Sequence, residues 1–229
     1  MAASALTLFS NRACPWCHRV TLALREVGAY DKGLTHTEID LQNKPGWYTE
    51  RINAAGKVPV LQIGADDDPN KALIPESGVV LELVGDLFPQ AGLVPKDPVE
   101  TAKARFQEVL NTPFTALWLR SDASQVPAVL SGVDEVQSLL AKQPGKFLLG
   151  DKPTIGDLAV APFVGRLFAF SKGGLVPDSL TAPLTTEEKY APFRAYHEAL
   201  TSRPSWKETF NEEEIVQQVK AFVKKMRAK

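Results

Sequence analysis

Short apolar runs and helix-periodic stretches alternate through the N-terminal part of the chain. The run Ala5-Leu6-Thr7-Leu8-Phe9 predicts a short buried strand. Val20, Leu22, Ala23, Leu24 and Val27 predict a helix that ends at Gly28. Residues 34–40 alternate as a second strand, and Asn43-Lys44-Pro45-Gly46 is turn chemistry. Residues 47–52 predict a short irregular helix. Residues 58–63 predict a strand with Pro59 at its start, residues 64–70 a polar turn, and Ala72-Leu73-Ile74 an edge strand. Residues 76–88 predict a helix with Val79, Val80, Leu83 and Leu87 on one face. The order is strand, helix, strand, helix, strand, strand, helix.

The pattern then changes. Residues 89–98 hold three prolines and a glycine, which reads as a linker at 91–98 between a domain over 1–90 and another over 99–229. Beyond it every periodic stretch is helical: residues 99–112, residues 113–120 with Pro113 as a break, and a helix marked by Val133, Val136, Leu139 and Leu140. Thr154 and Asp157 form a variant capping box ahead of an apolar helix over 158–170. Residues 171–185 read as a long Gly/Pro loop, with helices again over 187–201 and beyond Pro204. In the last helix Glu212, Glu213 and Glu214 precede Lys220, Lys224 and Lys225, a polarity that suits the helix dipole. Its apolar face, with Ile215, Val216, Val219, Phe222, Val223 and Met226, is expected to dock on its own domain rather than on a membrane.

Composition narrows the functional classes. In 229 residues, 26 basic and 27 acidic side chains nearly cancel, so nothing global points to nucleic acid or an acidic membrane. No apolar run has the length of a membrane span. The N-terminal Met-Ala-Ala-Ser lacks the basic-then-apolar order of a signal peptide, and two cysteines are no secreted disulfide framework. A cytoplasmic protein is expected. Asp66, Asp67 and Asp68 lack the regular spacing of calcium ligands and read as a solvated loop.

The candidate chemistry sits in Cys14-Pro15-Trp16-Cys17-His18, between the first strand and the first helix. Pro15 suits the first helical position, which puts Cys14 at the helix N-terminus. There the dipole and the unpaired N–H groups favour the thiolate. Cysteines so placed have pKa values of roughly 3.5–7.5, against about 8.5 when free. The same letters fit the C-x-x-C-H signature of haem attachment, but that asks for export and a second axial ligand, and the only methionines are Met1 and Met226. Zinc wants four ligands, and two cysteines with His18 fall short. Two buried structural thiols are the bland alternative. There is no Ser-His-Asp set, and His36 and His197 read as surface residues.

These pieces together resemble a cytosolic glutathione transferase: an α/β thioredoxin-like N-terminal domain, a proline linker and an all-α C-terminal domain. The resemblance is carried by residues 10–20 with their cysteine, Asn43-Lys44-Pro45-Gly46-Trp47-Tyr48, Lys57-Val58-Pro59, Pro75-Glu76-Ser77 and Thr154-Ile155-Gly156-Asp157. Cysteine at the active position with Lys-Pro-x-Trp downstream is similar to the omega class and its fungal omega-like relatives, although the second cysteine, Cys17, is closer to glutaredoxin. The resemblance implies glutathione as cosubstrate and Cys14 as catalytic nucleophile. It implies a cis Val58–Pro59 bond that presents the Val58 backbone to the cysteinyl part of glutathione. Glu76 and Ser77 would hold the γ-glutamyl end, and Lys44, with Lys57 as a second candidate, the glycyl carboxylate. The implied activity is glutathione-dependent thiol transfer, with dehydroascorbate reduction, through a Cys14 mixed disulfide. The implied acceptor is a small hydrophobic or disulfide compound, and the implied assembly a homodimer with no nucleic-acid or membrane partner. The alternative is a non-catalytic glutathione-dependent ligand carrier of the same fold. Phe114, Trp118, Phe163, Phe168 and Phe170 read as core at least as well as acceptor pocket.

Overall fold

In the computed structural model, which describes residues 5–105, 111–120 and 122–227, the chain divides into two units, Met1–Gly92 and Leu93–Lys229. The first is built on β1 (Leu6–Ser10). It pairs in parallel with β2 (Thr35–Glu38) and antiparallel with β3 (Val60–Ile63). β3 pairs antiparallel with β4 (Ala72–Pro75), giving the order β2-β1-β3-β4. Parallel neighbours need a crossover, and α1 (Pro15–Glu26) supplies it.

The pleat sends successive residues of β1 to opposite faces. Phe9, across from Val60, meets Ile39 and Tyr48, the latter carried by α2 (Gly46–Arg51). Leu8, across from Leu61, points to the other face, and both are fully buried. There α1 packs against α3 (Ser77–Leu87), which also contacts β3 and β4.

The face of α3 that packs inward differs from the expected one. Ser77, Val80, Leu81 and Val84 are buried, whereas Val79 is 56% and Leu87 43% exposed. Apolar residues occupy both sides of this helix, so periodicity alone does not choose between them. The side that wins is the one that keeps Ser77 against α1.

The second unit contains α4 (Pro98–Arg105), α5 (Asn111–Arg120), α6 (Val126–Leu140), α7 (Ile155–Lys172), α8 (Asp178–Thr186), α9 (Ala191–Thr201), α10 (Pro204–Thr209) and α11 (Glu212–Arg227). The part of the first expected helix over 106–110 lies outside the described residues. Pro113 falls near the start of α5. The core element is α7, buried on almost every side and in contact with α4, α5, α8, α9 and α11. Its start is the capping box of Thr154 and Asp157. The fully buried Asp157 carboxylate accepts from the Leu148 N–H (2.9 Å), the Thr154 N–H (2.8 Å) and hydroxyl (3.0 Å), and the Tyr196 hydroxyl (2.9 Å).

The expected loop over 171–185 is mostly helical instead. α7 runs on to Lys172, and Pro177 caps α8, with Asp178 in its first turn where the dipole favours a negative charge. α11 buries Ile215, Val216, Val219 and Val223 and contacts α7, so this amphipathic helix docks within its own unit. Among the described residues no helix is long and apolar enough to cross a membrane.

Candidate active site

The turn after β1 is shaped by Asn11. Its side-chain N–H donates to the Ile39 carbonyl (3.0 Å), its side-chain oxygen accepts from the Ala13 N–H (3.1 Å), and its carbonyl accepts from the Cys14 N–H (3.1 Å). This delivers Cys14 to the N-cap of α1 in an extended conformation, φ −75° and ψ 120°, with Pro15 as the first helical residue. The Cys14 carbonyl accepts the His18 N–H at 3.0 Å, so the helix hydrogen-bond ladder begins at the cysteine itself. Cys14 is half-buried and Cys17 wholly buried; both are free thiols.

No N–H of the first turn of α1 caps the Cys14 side chain. The nearby thiol of Cys17, three residues on, does reach it in a side-chain hydrogen bond. Burial first, then that bond and the Cys14 charge, raise the Cys17 thiol well above its ordinary pKa, so Cys17 stays protonated. Of the two sulfurs, that of Cys14 is the one partly open to solvent.

The remaining expected site residues gather at the ends of β3 and β4. Val58–Pro59 is cis. β3 begins only at Val60, which leaves the Val58 backbone outside the ladder. Val60 pairs with Pro75, so Val58-Pro59 and Glu76-Ser77 leave the sheet side by side. The Lys57 carbonyl is held by the Tyr48 hydroxyl (2.7 Å) and by the Asn53 side-chain amide (2.9 Å). Burial, with a smaller push from Cys17, raises the Tyr48 phenol, which keeps that donor protonated. Lys44 lies along Gly56, its Nζ 3.6 Å from where a Cβ would stand, so its ammonium hangs over the loop before Val58. Gly56 is buried beside it, at φ +63°, a backbone conformation that favours glycine.

Glu76 is the N-cap of α3 and the one non-glycine residue with positive φ, at 69°, among the described residues. That backbone is strained for an L residue, and the exposed Glu76 side chain makes no cap hydrogen bond. Ser77 is buried, and its oxygen accepts from Arg19 Nη1 at 3.4 Å. The guanidinium occupies one acceptor side of the hydroxyl, at the first residue of α3. Arg19, on α1 one turn beyond Cys14, joins this cluster with no sequence pattern to announce it. It stands among apolar neighbours, where an arginine is a signal of a specific partner.

Other candidates fall away from this cluster. Phe114, Phe163, Phe170 and Trp118 are buried in the second unit, with Trp118 edge-on to Phe170 at 5.4 Å. His36 is exposed, as expected, with Tyr30 as partner (3.2 Å). His197 is half-buried rather than a free surface residue: its ring lies 4.1 Å from that of Phe168, and burial lowers its pKa to about 4. A cavity of about 950 Å³ in the second unit, walled by Phe147, Tyr196 and Arg203, takes in none of the expected site residues. Among the described residues no group of His, Cys, Asp and Glu is arranged to hold a metal ion.

Residues 13–87 match the glutathione S-transferase N-terminal domain and residues 100–199 the C-terminal domain. The chain is 31% identical over 211 residues to glutathione S-transferase DHAR2 of Arabidopsis thaliana, covering 89% of this chain and 86% of that one. The chain belongs to the glutathione S-transferase family. The transferase is also 28% identical over 174 residues to glutathione S-transferase omega-1 of Sus scrofa, across 72% of this chain and 68% of the relative. Among solved structures, glutathione transferase Omega 1C from Trametes versicolor overlays with a TM-score of 0.85 and 32% identity, covering 96% of this transferase and 97% of that chain. Both the thioredoxin-like first domain and the mainly helical second one are thus those of a glutathione transferase, with omega-class neighbours.

Proposed function

We propose that this protein is an omega-like glutathione transferase that catalyses glutathione-dependent thiol transfer through Cys14. The observation that carries the reading is a half-buried free cysteine at the N-cap of α1, three residues before a buried thiol whose pKa is raised. Its relatives named for omega and DHAR activity support the same reading. The Cys14 thiolate attacks the glutathione sulfur of a mixed disulfide, and the substrate leaves as its thiolate. A second glutathione thiolate then attacks the bound glutathione sulfur and releases oxidised glutathione and the Cys14 thiolate. With dehydroascorbate, Cys14 and one glutathione each give one electron and together one S–S bond, and the acceptor leaves as ascorbate.

In this reading residues 1–90 bind glutathione, 91–98 are the linker and 99–229 form the acceptor-facing domain. Ser77 and the start of α3 hold the γ-glutamyl carboxylate, Glu76 pairs with its ammonium group, and the Val58 backbone beside Pro59 binds the cysteinyl backbone strand fashion. Lys44 reaches the glycyl carboxylate. The acceptor is a small hydrophobic or disulfide compound. A cytoplasmic setting suits two free thiols. A homodimer is supported by Val79 and Leu87, exposed on one side of α3. Rates of thiol transfer, dehydroascorbate reduction and aromatic conjugation on the purified protein test this reading. Thiol transfer and reduction should dominate; conjugation alone, or no turnover with glutathione binding intact, would overturn it.

A further inference from the structure

Lys57 and Val58 share one planar peptide group, and the bond between them is trans. In such a plane the Lys57 C=O and the Val58 N–H point in opposite directions. Whatever holds the Lys57 carbonyl therefore aims the Val58 N–H. Two donors hold it: the Tyr48 hydroxyl at 2.7 Å and the Asn53 side-chain amide at 2.9 Å. Tyr48 is the more firmly fixed of the two. Its side chain is 0% exposed and packs with Phe9, Ile39 and Val60. Its ring meets that of Phe9 edge-on, with centroids 6.1 Å apart. Its backbone carbonyl accepts the Ile52 N–H (3.0 Å) and the Asn53 N–H (2.9 Å), where α2 ends. A helix of six residues has too few internal hydrogen bonds to stand alone, so α2 takes its place from this buried anchor.

We infer that Tyr48 is a positioning residue for glutathione: its hydroxyl, acting through the Lys57 carbonyl, turns the Val58 N–H towards the cysteinyl backbone of the tripeptide. The hydroxyl approaches the loop from the buried cluster, so the N–H on the opposite edge of the plane is turned away from that cluster. Burial raises the phenol pKa, which keeps the donor protonated. Asn53 seconds it. Its side-chain oxygen accepts the Ala55 N–H at 3.1 Å, which orients the amide towards Lys57. Lys44 is tied to the same frame, two residues ahead of α2 and with its Nζ 3.6 Å from the Cβ position of Gly56, the neighbour of Lys57. Tyr48 thus links the groups assigned to the cysteinyl and glycyl parts of glutathione. A tyrosine that only filled the core would be served as well by phenylalanine, and the hydroxyl is what that view leaves over. The inference rests on the assignment of the Val58 backbone to glutathione, and the experiment separates the two.

The experiment compares the whole protein with Tyr48→Phe, which keeps the ring and loses one hydrogen bond. Glutathione affinity is read by calorimetry, KM and kcat from thiol transfer, and the state of Cys14 from its rate of alkylation by iodoacetamide without glutathione. In Tyr48→Phe the KM for glutathione should rise about two- to tenfold, with the calorimetric affinity falling by the same factor. The kcat at saturating glutathione and the alkylation rate should be unchanged, because only binding is touched. An unchanged KM overturns the proposal. So does a fall in kcat together with an altered alkylation rate, which marks a general loosening of the fold. Asn53→Asp reaches the same carbonyl from the exposed loop, keeps the acceptor for Ala55 and removes the donor. It should show the same split, and should Tyr48→Phe not fold, Asn53→Asp decides by the same criteria. Lys44→Ala and Ser77→Ala run alongside. If neither weakens glutathione binding, the placement of the tripeptide fails and this inference with it. If both weaken it and Tyr48→Phe does not, the role of Tyr48 alone is refuted.

Discussion

At the scale of single residues the proposed glutathione site is a set of polar groups gathered at the ends of β3 and β4. Glu76→Ala or Ser77→Ala should weaken glutathione binding by about 1.5–3 kcal/mol, roughly ten- to a hundredfold, without unfolding. Calorimetric affinities unchanged in both would contradict the assignment of the α3 start to the γ-glutamyl end. Arg19→Met should produce part of the same loss, because it removes the donor that orients the Ser77 hydroxyl. The residues that announce themselves in the sequence are those with unusual neighbours: cysteine before proline, valine before proline, glutamate and serine opening a helix. Arg19 and Asn11 do not. Their roles are set by residues far along the chain, Ser77 for Arg19 and Ile39 for Asn11, and only packing brings these together.

At the scale of elements, helix starts were legible and helix faces less so. The Thr154–Asp157 box marks α7 by chemistry alone, yet the choice of inward face on α3 depends on what α1 offers it. α8 was hidden because prolines and glycines around it read as loop, although Pro177 serves as its N-cap. Two packing sites make sharp predictions. Trp206 of α10 lies over Gly165 of α7, where a Cβ would stand 2.0 Å from the ring. Gly165→Ala should therefore lower Tm although alanine is the better helix former, with a cost of about 1–3 kcal/mol from overpacking. An equal or higher Tm would show that the indole moves aside freely. Between α7 and α9, the His197 ring is held neutral, with a folded pKa of about 4. The unfolded value is near 6.5. As pH falls through that window the unfolded chain takes up a proton that the folded chain refuses, so stability is full above about 6.5 and drains away down to about 4. Urea midpoints should fall across this interval, and His197→Gln should flatten that part of the slope. A slope identical in the variant would assign the loss to other groups.

At the scale of the whole molecule, a thioredoxin-like unit carries the thiol chemistry and a helical unit accompanies it in sequence. The exposed Val79 and Leu87 on α3 are where the proposed homodimer would pair. Sedimentation at micromolar concentration should show a species of twice the 25.0 kDa chain, and Leu87→Glu should return it to the monomer. A single 25.0 kDa species in the unmodified protein would remove the dimer from the account. The claim on which the rest depends is that Cys14 forms the covalent intermediate. It is tested most directly by incubating the protein, Cys14→Ser and Cys17→Ser with oxidised glutathione and weighing each intact chain. The account predicts one glutathione adduct on the protein and on Cys17→Ser, removed by fresh glutathione, and none on Cys14→Ser. An adduct on the Cys14→Ser chain with thiol-transfer activity retained would contradict it.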